Sequence, residues 1–273
     1  MTPEAAEKVG RFLSGLARSA HRLLLLDYDG TLAPFRTDRF KAQPWPGVRE
    51  LLTQIQRQGR TRMVVVSGRP AAEIAPLLGL DPPLETWGLH GMERVYPDGR
   101  RELEELPAST VQKLGELREE LQRDSFGGLF EDKPNAAVMH WRGAAAEDAA
   151  EIERKTLALF EPLAHVDGLR LLKFEAGLEL RAGRDKGGAV EAILREASAE
   201  APGAVAAAYL GDDLTDEEAF RTLNAAAGVH LTALVRAEKR ETAASVWLRP
   251  PGELLKFLEM WLAAEKHLAS TGS

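Results

Sequence analysis

Apolar runs and polar breaks alternate along this chain with a rhythm that changes twice. Between residues 4 and 18, Val9, Phe12, Leu13 and Leu16 recur at helical spacing. Leu23 to Leu26 form an uninterrupted leucine run, the pattern of a strand buried on both faces. Pro46 and the following Gly-Val-Arg-Glu-Leu-Leu open a helix that Gly59 closes. Met63 to Val66 reads as a second buried strand, Pro70 to about Leu78 as a helix, and Thr86 to Leu89 as a short strand. Strands alternating with helices in this way predict right-handed βαβ units and a parallel sheet.

Near Pro107 the rhythm changes. Residues 109–124 have amphipathic helical spacing, and Gly127-Gly128 reads as a turn. Leu129 to Arg142, Leu169 to Phe174 and Leu178 to Arg181 read as strands, with a helix at about 145–161. This mixture of hairpins and helices predicts an α+β module over residues 108–182, inserted into a main domain built from 1–107 and 183–273. The βα rhythm then resumes with a helix from about Gly187, a strand from Val205 to Leu210 and a helix from about Glu217. Further short strands are expected near 229–235 and 245–248. The fold class expected is α/β: a Rossmann-like parallel sheet with an inserted α+β cap domain.

The strands end in chemistry. Asp27-Tyr28-Asp29-Gly30-Thr31 follows the leucine strand. Residues two apart on extended backbone project to one side, so Asp27 and Asp29 point together into the crevice where open α/β sheets keep ligands. Gly30 permits the sharp turn, and Thr31 adds a hydroxyl. A calcium loop is excluded by spacing, since it wants Gly at position 6 and Glu at position 12. A metal-binding D-x-D of the glycosyltransferase kind stays open on these residues alone. The second strand ends in Ser67-Gly68-Arg69. Ser67 reads either as a helix N-cap or as part of an anion-binding turn, and Arg69 as an ion-pair partner or a substrate ligand. Gly211-Asp212-Asp213-Leu214-Thr215-Asp216-Glu217-Glu218 clusters acids at another strand end. Such acids repel unless a cation sits among them, and oxygen-only ligation points to Mg²⁺ rather than Zn²⁺. Lys186 stands at a helix start, against the dipole, which an anion nearby would explain; a solvated lysine is the alternative.

Composition narrows the setting. The chain has 273 residues, 44% of them hydrophobic and 28% charged, as in ordinary globular proteins. A formal charge of −7 without a long basic run argues against a nucleic-acid partner, and it means that an anionic substrate would need a local positive site. Cysteine is absent, which excludes disulfides and thiolate chemistry and is compatible with a reducing cytoplasm. The N-terminal Met-Thr-Pro-Glu stretch offers no signal-peptide core, and no run approaches the ~20 apolar residues of a membrane span. The expectation is a cytoplasmic protein acting on a small molecule, with no membrane partner and no obligatory protein partner evident.

Taken in order, the four segments around Asp27, Ser67, Lys186 and Asp212 resemble the motif set of the haloacid-dehalogenase-like hydrolase superfamily, which excludes most glycosyltransferase readings. The resemblance implies a phosphatase in which Asp27 is the nucleophile, Asp29 the general acid and base, and Lys186 a catalytic cation. It places Mg²⁺ on Asp27, the backbone carbonyl of Asp29, and Asp212. Gly30, Thr31, Ser67, Gly68 and Arg69 would surround the phosphoryl group. More finely, Asp27 to Pro34, Val66 to Arg69, Gly88-Leu89-His90-Gly91 and Gly211 to Glu217 resemble the trehalose-6-phosphate phosphatase family. So do Glu131-Asp132-Lys133, His140-Trp141-Arg142 and Glu179-Leu180-Arg181 within the insertion, although the proline that often follows the family's Glu-x-Arg is missing. That resemblance implies a sugar phosphate substrate, with His90, Glu131, Lys133, His140, Arg142 and Glu179 as substrate-binding residues. Independently of it, Glu131 with Lys133 and His140 with Arg142 alternate along strands, giving polar faces suited to sugar hydroxyls or to solvent-facing salt bridges. His90 is either a loop ligand or a packed histidine. Another sugar phosphatase, for sucrose 6-phosphate or mannosyl-3-phosphoglycerate, and a catalytically weak regulatory protein are the rival readings.

Overall fold

The structure, a computed structural model, describes residues 1–36, 38–123, 129–133, 135–166, 168–200 and 203–267. The Gly127-Gly128 turn expected from sequence lies outside them. The chain forms two compact units, one of Met1–Glu102 with Asp185–Ser273 and the other of Leu103–Arg184. The junctions expected from sequence, 107/108 and 182/183, lie within a few residues of these.

The first unit is organised by a sheet in the order β12-β11-β10-β1-β2-β3-β4-β5. β1 (His21–Leu26), β2 (Arg62–Val66), β3 (Glu85–Gly88), β10 (Val205–Gly211), β11 (Val229–Val235) and β12 (Val246–Leu248) run parallel. β4 (Glu93–Val95) turns back antiparallel on β3, and β5 (Arg101–Leu103) ends the order; neither short edge strand was anticipated. The leucine run explains the layering. Leu24 and Leu26 face α1 (Pro3–Arg18), α2 (Val48–Gln58), α3 (Ala71–Leu78) and α8 (Gly252–His267), while Leu23 and Leu25 face α6 (Lys186–Glu200) and α7 (Glu217–Ala225). A strand covered on both sides has no polar face, hence the unbroken apolar pattern.

Strand order reverses beside β1: the chain leaves it toward β2 and β3 on one side and returns through β10, β11 and β12 on the other. Leu26 is level with Leu210 of β10 and Val65 of β2, so Asp27 emerges at the same height as Gly211 and Val66. Ligand sites of open α/β sheets sit at such a switch point.

The second unit holds an antiparallel sheet in the order β6-β7-β9-β8: β6 (Phe130–Lys133), β7 (Ala136–His140), β8 (Leu169–Phe174) and β9 (Gly177–Ala182). Leu114, Leu117 and Leu121 of α4 (Ala108–Arg123) and Phe160 of α5 (Ala146–Phe160) pack with Ala137, Met139, Leu178 and Leu180.

Candidate active site

The turn after β1 is built tightly. Gly30 N–H donates to Ala33 carbonyl at 2.7 Å and Ala33 N–H to Tyr28 carbonyl at 3.0 Å, so neither bond uses the Asp29 carbonyl. Gly30 has φ +81°, and a Cβ there would stand 2.1 Å from an Asp212 carboxylate oxygen. Glycine is therefore required twice, for the left-handed backbone and for the approach of Asp212.

Four buried charges meet at this edge. Lys186 Nζ donates to Asp27 Oδ1 and to Asp216 Oδ1, both at 2.7 Å. Asp216 also accepts the Tyr209 hydroxyl at 2.7 Å, and its Oδ2 takes the backbone N–H groups of Asp212 and Asp213 at 3.0 Å each. Local sequence makes this possible. Asp185 caps α6, its Oδ1 accepting Gly188 N–H at 2.8 Å, and so starts the helix at Lys186. Gly211 leaves room for Asp216 to fold back, since a Cβ there would lie 2.3 Å from the Asp216 carboxyl carbon. Burial, with repulsion from Asp216 and Asp29 that Lys186 only partly offsets, pushes the Asp27 carboxyl up to about 7. Burial, then Asp27, Asp216 and Asp213, raises Asp212 well above the carboxylate range. Burial alone would lower the Lys186 ammonium, but Asp216 and Asp27 outweigh it and raise it.

Asp27, Asp212 and Asp216 each place a carboxylate oxygen within 4.8 Å of the others. The hydrogen bonds separate them: Asp216 is fully engaged as an acceptor, whereas no hydrogen bond reaches the Asp212 carboxylate among the described residues. Asp27 Oδ2 and Asp212 thus remain for a ligand. An oxygen-only donor set carrying more negative charge than Lys186 can balance fits a hard divalent cation.

Two buried hydroxyls lie on the loops that follow β1 and β2. Thr31 is fully buried, and its Oγ1 has no hydrogen-bond partner among the described residues. Buried hydroxyls are normally bonded, so this one points to a ligand oxygen. Ser67, also buried, accepts Arg69 N–H at 3.2 Å through Oγ, which leaves its own hydroxyl hydrogen to donate. Arg69 forms an ion pair: its Nε and Nη2 grip both Asp29 oxygens at 2.5 and 2.6 Å, and Nη1 donates to Arg39 carbonyl at 2.7 Å. His90 is buried in the left-handed region at φ 58°, with Leu89 before it at φ 49°. Its ring lies so close over Gly68 that a Cβ on that residue would come within 2.7 Å. Consecutive non-glycine residues in this region store strain, which clusters at functional sites.

In the second unit, register sets Glu131, Val138 and Glu179 in one row and Lys133, Ala136 and Arg181 in the next, on the sheet face opposite α4 and α5. Glu131 Oε2 and His140 Nε2 lie 2.9 Å apart, and the His140 ring meets Phe174 edge-on at 5.4 Å. Glu179 is buried. Arg142 departs from the expected alternation: β7 stops at His140, and Arg142 is exposed in the turn beyond it.

Several contributors carry little signal in sequence. Asp216 reads there only as one of a run of acids, and Tyr209 as part of an apolar strand. Arg240 braces the acidic loop from behind, with Nη2 donating to Asp213 carbonyl at 2.8 Å and Nη1 bound to Glu217. Glu93 caps α3, its Oε2 accepting Ala71 N–H at 2.7 Å, and so steadies the turn that carries Ser67 and Arg69. Arg181 is buried on the polar face of the second unit. Only the Asp213-x-x-Asp216 spacing, a helix-start pattern, could have flagged one of them.

The parallel sheet with its acids at the switch point defines the haloacid-dehalogenase-like hydrolase fold. A hydrolase of that kind from Bacteroides thetaiotaomicron matches with a TM-score of 0.62 at 18% identity, over 88% of this chain and 98% of the other. The profile of the trehalose-phosphatase family matches residues 25–249, and the chain belongs to that family. A trehalose-phosphate phosphatase of Mycolicibacterium paratuberculosis is 30% identical over 268 residues, covering 94% of this chain. The chain spans 66% of that relative's length. The crystal structure of Aspergillus fumigatus trehalose-6-phosphate phosphatase matches with a TM-score of 0.71 at 27% identity, over 94% of this chain and 97% of that one.

Proposed function

We propose that this chain is a Mg²⁺-dependent phosphatase that hydrolyses trehalose 6-phosphate to trehalose and phosphate. The observation that carries the proposal is the buried Asp27–Lys186–Asp216 cluster beside Asp212, set against the unpartnered Thr31 hydroxyl. Asp27 attacks phosphorus to form an aspartyl phosphate while the bond to the sugar oxygen breaks, and Asp29 gives that oxygen its proton. Asp29 then takes a proton from water, which attacks the acyl phosphate, frees Asp27 and yields inorganic phosphate. To deliver a proton, the Asp29 carboxyl has to part from the Arg69 fork. Lys186 orients Asp27, and Thr31 and Ser67 donate to phosphoryl oxygens as charge builds on them. A Mg²⁺ ion held by Asp27, Asp212 and the Asp29 carbonyl would supply further neutralisation of those oxygens.

Family membership supports the choice of substrate, as does the polar sheet face bearing Glu131, Lys133, His140 and Glu179, whose paired donors and acceptors suit sugar hydroxyls. Among the described residues no helix is long and apolar enough to cross a membrane. Phosphate release with Mg²⁺ should be measured on trehalose 6-phosphate, sucrose 6-phosphate and glucose 6-phosphate. Preference for the first is expected; a clear preference for either of the others would overturn the substrate assignment.

A further inference from the structure

The polar sheet face of the second unit also carries two large apolar side chains. Register sets Leu172 level with Glu179, and Phe174 level with Gly177 and His140. Side chains alternate between the faces of a sheet, so Leu172 and Phe174 share the face of Glu131 and Glu179, away from α4 and α5. Phe174 is only half-buried there.

The hairpin joining β8 to β9 makes room for this ring. Its turn takes Ala176 into the left-handed region at φ 58°, where glycine would be the relaxed choice. The glycine comes one residue later, at Gly177, which lies opposite Phe174 and has no positive φ to require it. A Cβ on Gly177 would stand 2.0 and 2.3 Å from two ring carbons of Phe174, and 2.8 Å from the Met139 carbonyl oxygen. The ring thus rests on bare backbone, in space that any other residue at 177 would fill. A side chain seated in this way loses little freedom when a ligand meets its outer surface.

Polar groups rim the ring. His140 meets it edge-on with centroids 5.4 Å apart, and His140 Nε2 lies 2.9 Å from Glu131 Oε2. The side chains of His140 and Glu131 are 42% and 40% exposed, so a ligand can reach both. Glu179 stands one row further on, a two-residue step of roughly 6.7 Å and about the breadth of one hexose ring with its hydroxyls.

We propose, building on the sugar phosphatase assignment, that Phe174 is a stacking platform for a pyranose ring of the substrate, with Glu131 and His140 holding hydroxyls at its rim. The C–H bonds on one face of a pyranose carry partial positive charge and meet the negative face of an aromatic ring. Carboxylate and imidazole beside that ring take the outward hydroxyls. An acyclic phosphate ester has no flat C–H face and gains nothing from Phe174.

Steady-state kinetics with Mg²⁺ on trehalose 6-phosphate and sucrose 6-phosphate test this on the full chain and its Phe174→Leu and Phe174→Tyr variants. Leucine keeps an apolar side chain over Gly177 but removes the π face. KM for the preferred sugar phosphate should therefore rise about three- to tenfold, with kcat little changed. Tyrosine keeps the ring and should retain the parent KM. The dephosphorylated sugar, trehalose or sucrose, should inhibit Phe174→Leu more weakly by the same factor, whereas inhibition by inorganic phosphate should not move. An unchanged KM in Phe174→Leu, or equal weakening of sugar and phosphate inhibition, would overturn the inference. Parent preference for sucrose 6-phosphate, with that KM raised in Phe174→Leu, would support the platform while overturning the trehalose assignment. A parent chain inactive on both substrates would overturn both.

Discussion

Replacing Asp216 by asparagine should destabilise the protein, while the same change four residues earlier, at Asp212, should stabilise its metal-free form. Asp216 accepts hydrogen bonds from Lys186, Tyr209 and two backbone N–H groups. An asparagine has one acceptor oxygen and turns its NH₂ toward donors, so two of the four lose their partner. Each buried donor left unmet costs about 1–3 kcal/mol, and Lys186 also loses one of its two counter-ions, so the total is about 4 kcal/mol. For a chain of this size that lowers Tm by roughly 8–16 °C. The Asp212 carboxylate receives no hydrogen bond among the described residues and lies within 4.8 Å of two other carboxylates. Unit charges at that distance repel by about 3 kcal/mol at an effective dielectric constant near 20, which Lys186 and partial protonation reduce to a net ~1–2 kcal/mol. Thermal melts near neutral pH in excess chelator would measure both variants. Shifts of the same sign, or an unchanged Tm for Asp216→Asn, would refute the division of labour between the two aspartates.

Other outcomes follow from the same geometry. In chelator, the Asp27→Asn variant should lack a destabilisation that the parent chain shows as pH rises from about 4 toward 7. The folded Asp27 keeps its proton up to about 7, whereas the unfolded chain releases it near 3.8, so stability falls through that window, by up to ~1.4 kcal/mol per pH unit; parallel curves would count against the shift. Gly30→Ala should reduce turnover about 10²-fold or more, because a Cβ would displace Asp212, and circular dichroism would show whether the fold persists. Arg240→Gln should weaken Mg²⁺ binding about tenfold in titration calorimetry, with kcat at saturating metal little changed.

Much of the frame is legible in sequence, because doubly covered strands leave unbroken apolar runs such as Leu23 to Leu26 and Val64 to Val66. The reactive strand ends are legible for the same reason, since Asp27, Ser67 and Asp212 interrupt runs that packing alone would continue. What eludes sequence is pairing. Nothing local tells Arg69 to choose Asp29, or Asp216 to turn back on its own loop, since both depend on backbones brought together by the sheet. The edge strands Glu93–Val95 and Arg101–Leu103 are too short and too charged to show a period. The C-terminal helix is a different case: Leu254, Phe257, Leu258, Trp261 and Leu262 have clear helical spacing, yet the segment starts at Pro-Pro-Gly without a capping side chain and was not anticipated.

In the proposed reaction Asp27 is transiently phosphorylated. Rapid acid quench during turnover of trehalose 6-phosphate with Mg²⁺, followed by mass spectrometry of the peptide carrying Asp27, would detect that species. A phosphoryl adduct on that residue, absent from Asp27→Asn, is the expected result. Sustained turnover by Asp27→Asn, or an adduct at another residue, would contradict it.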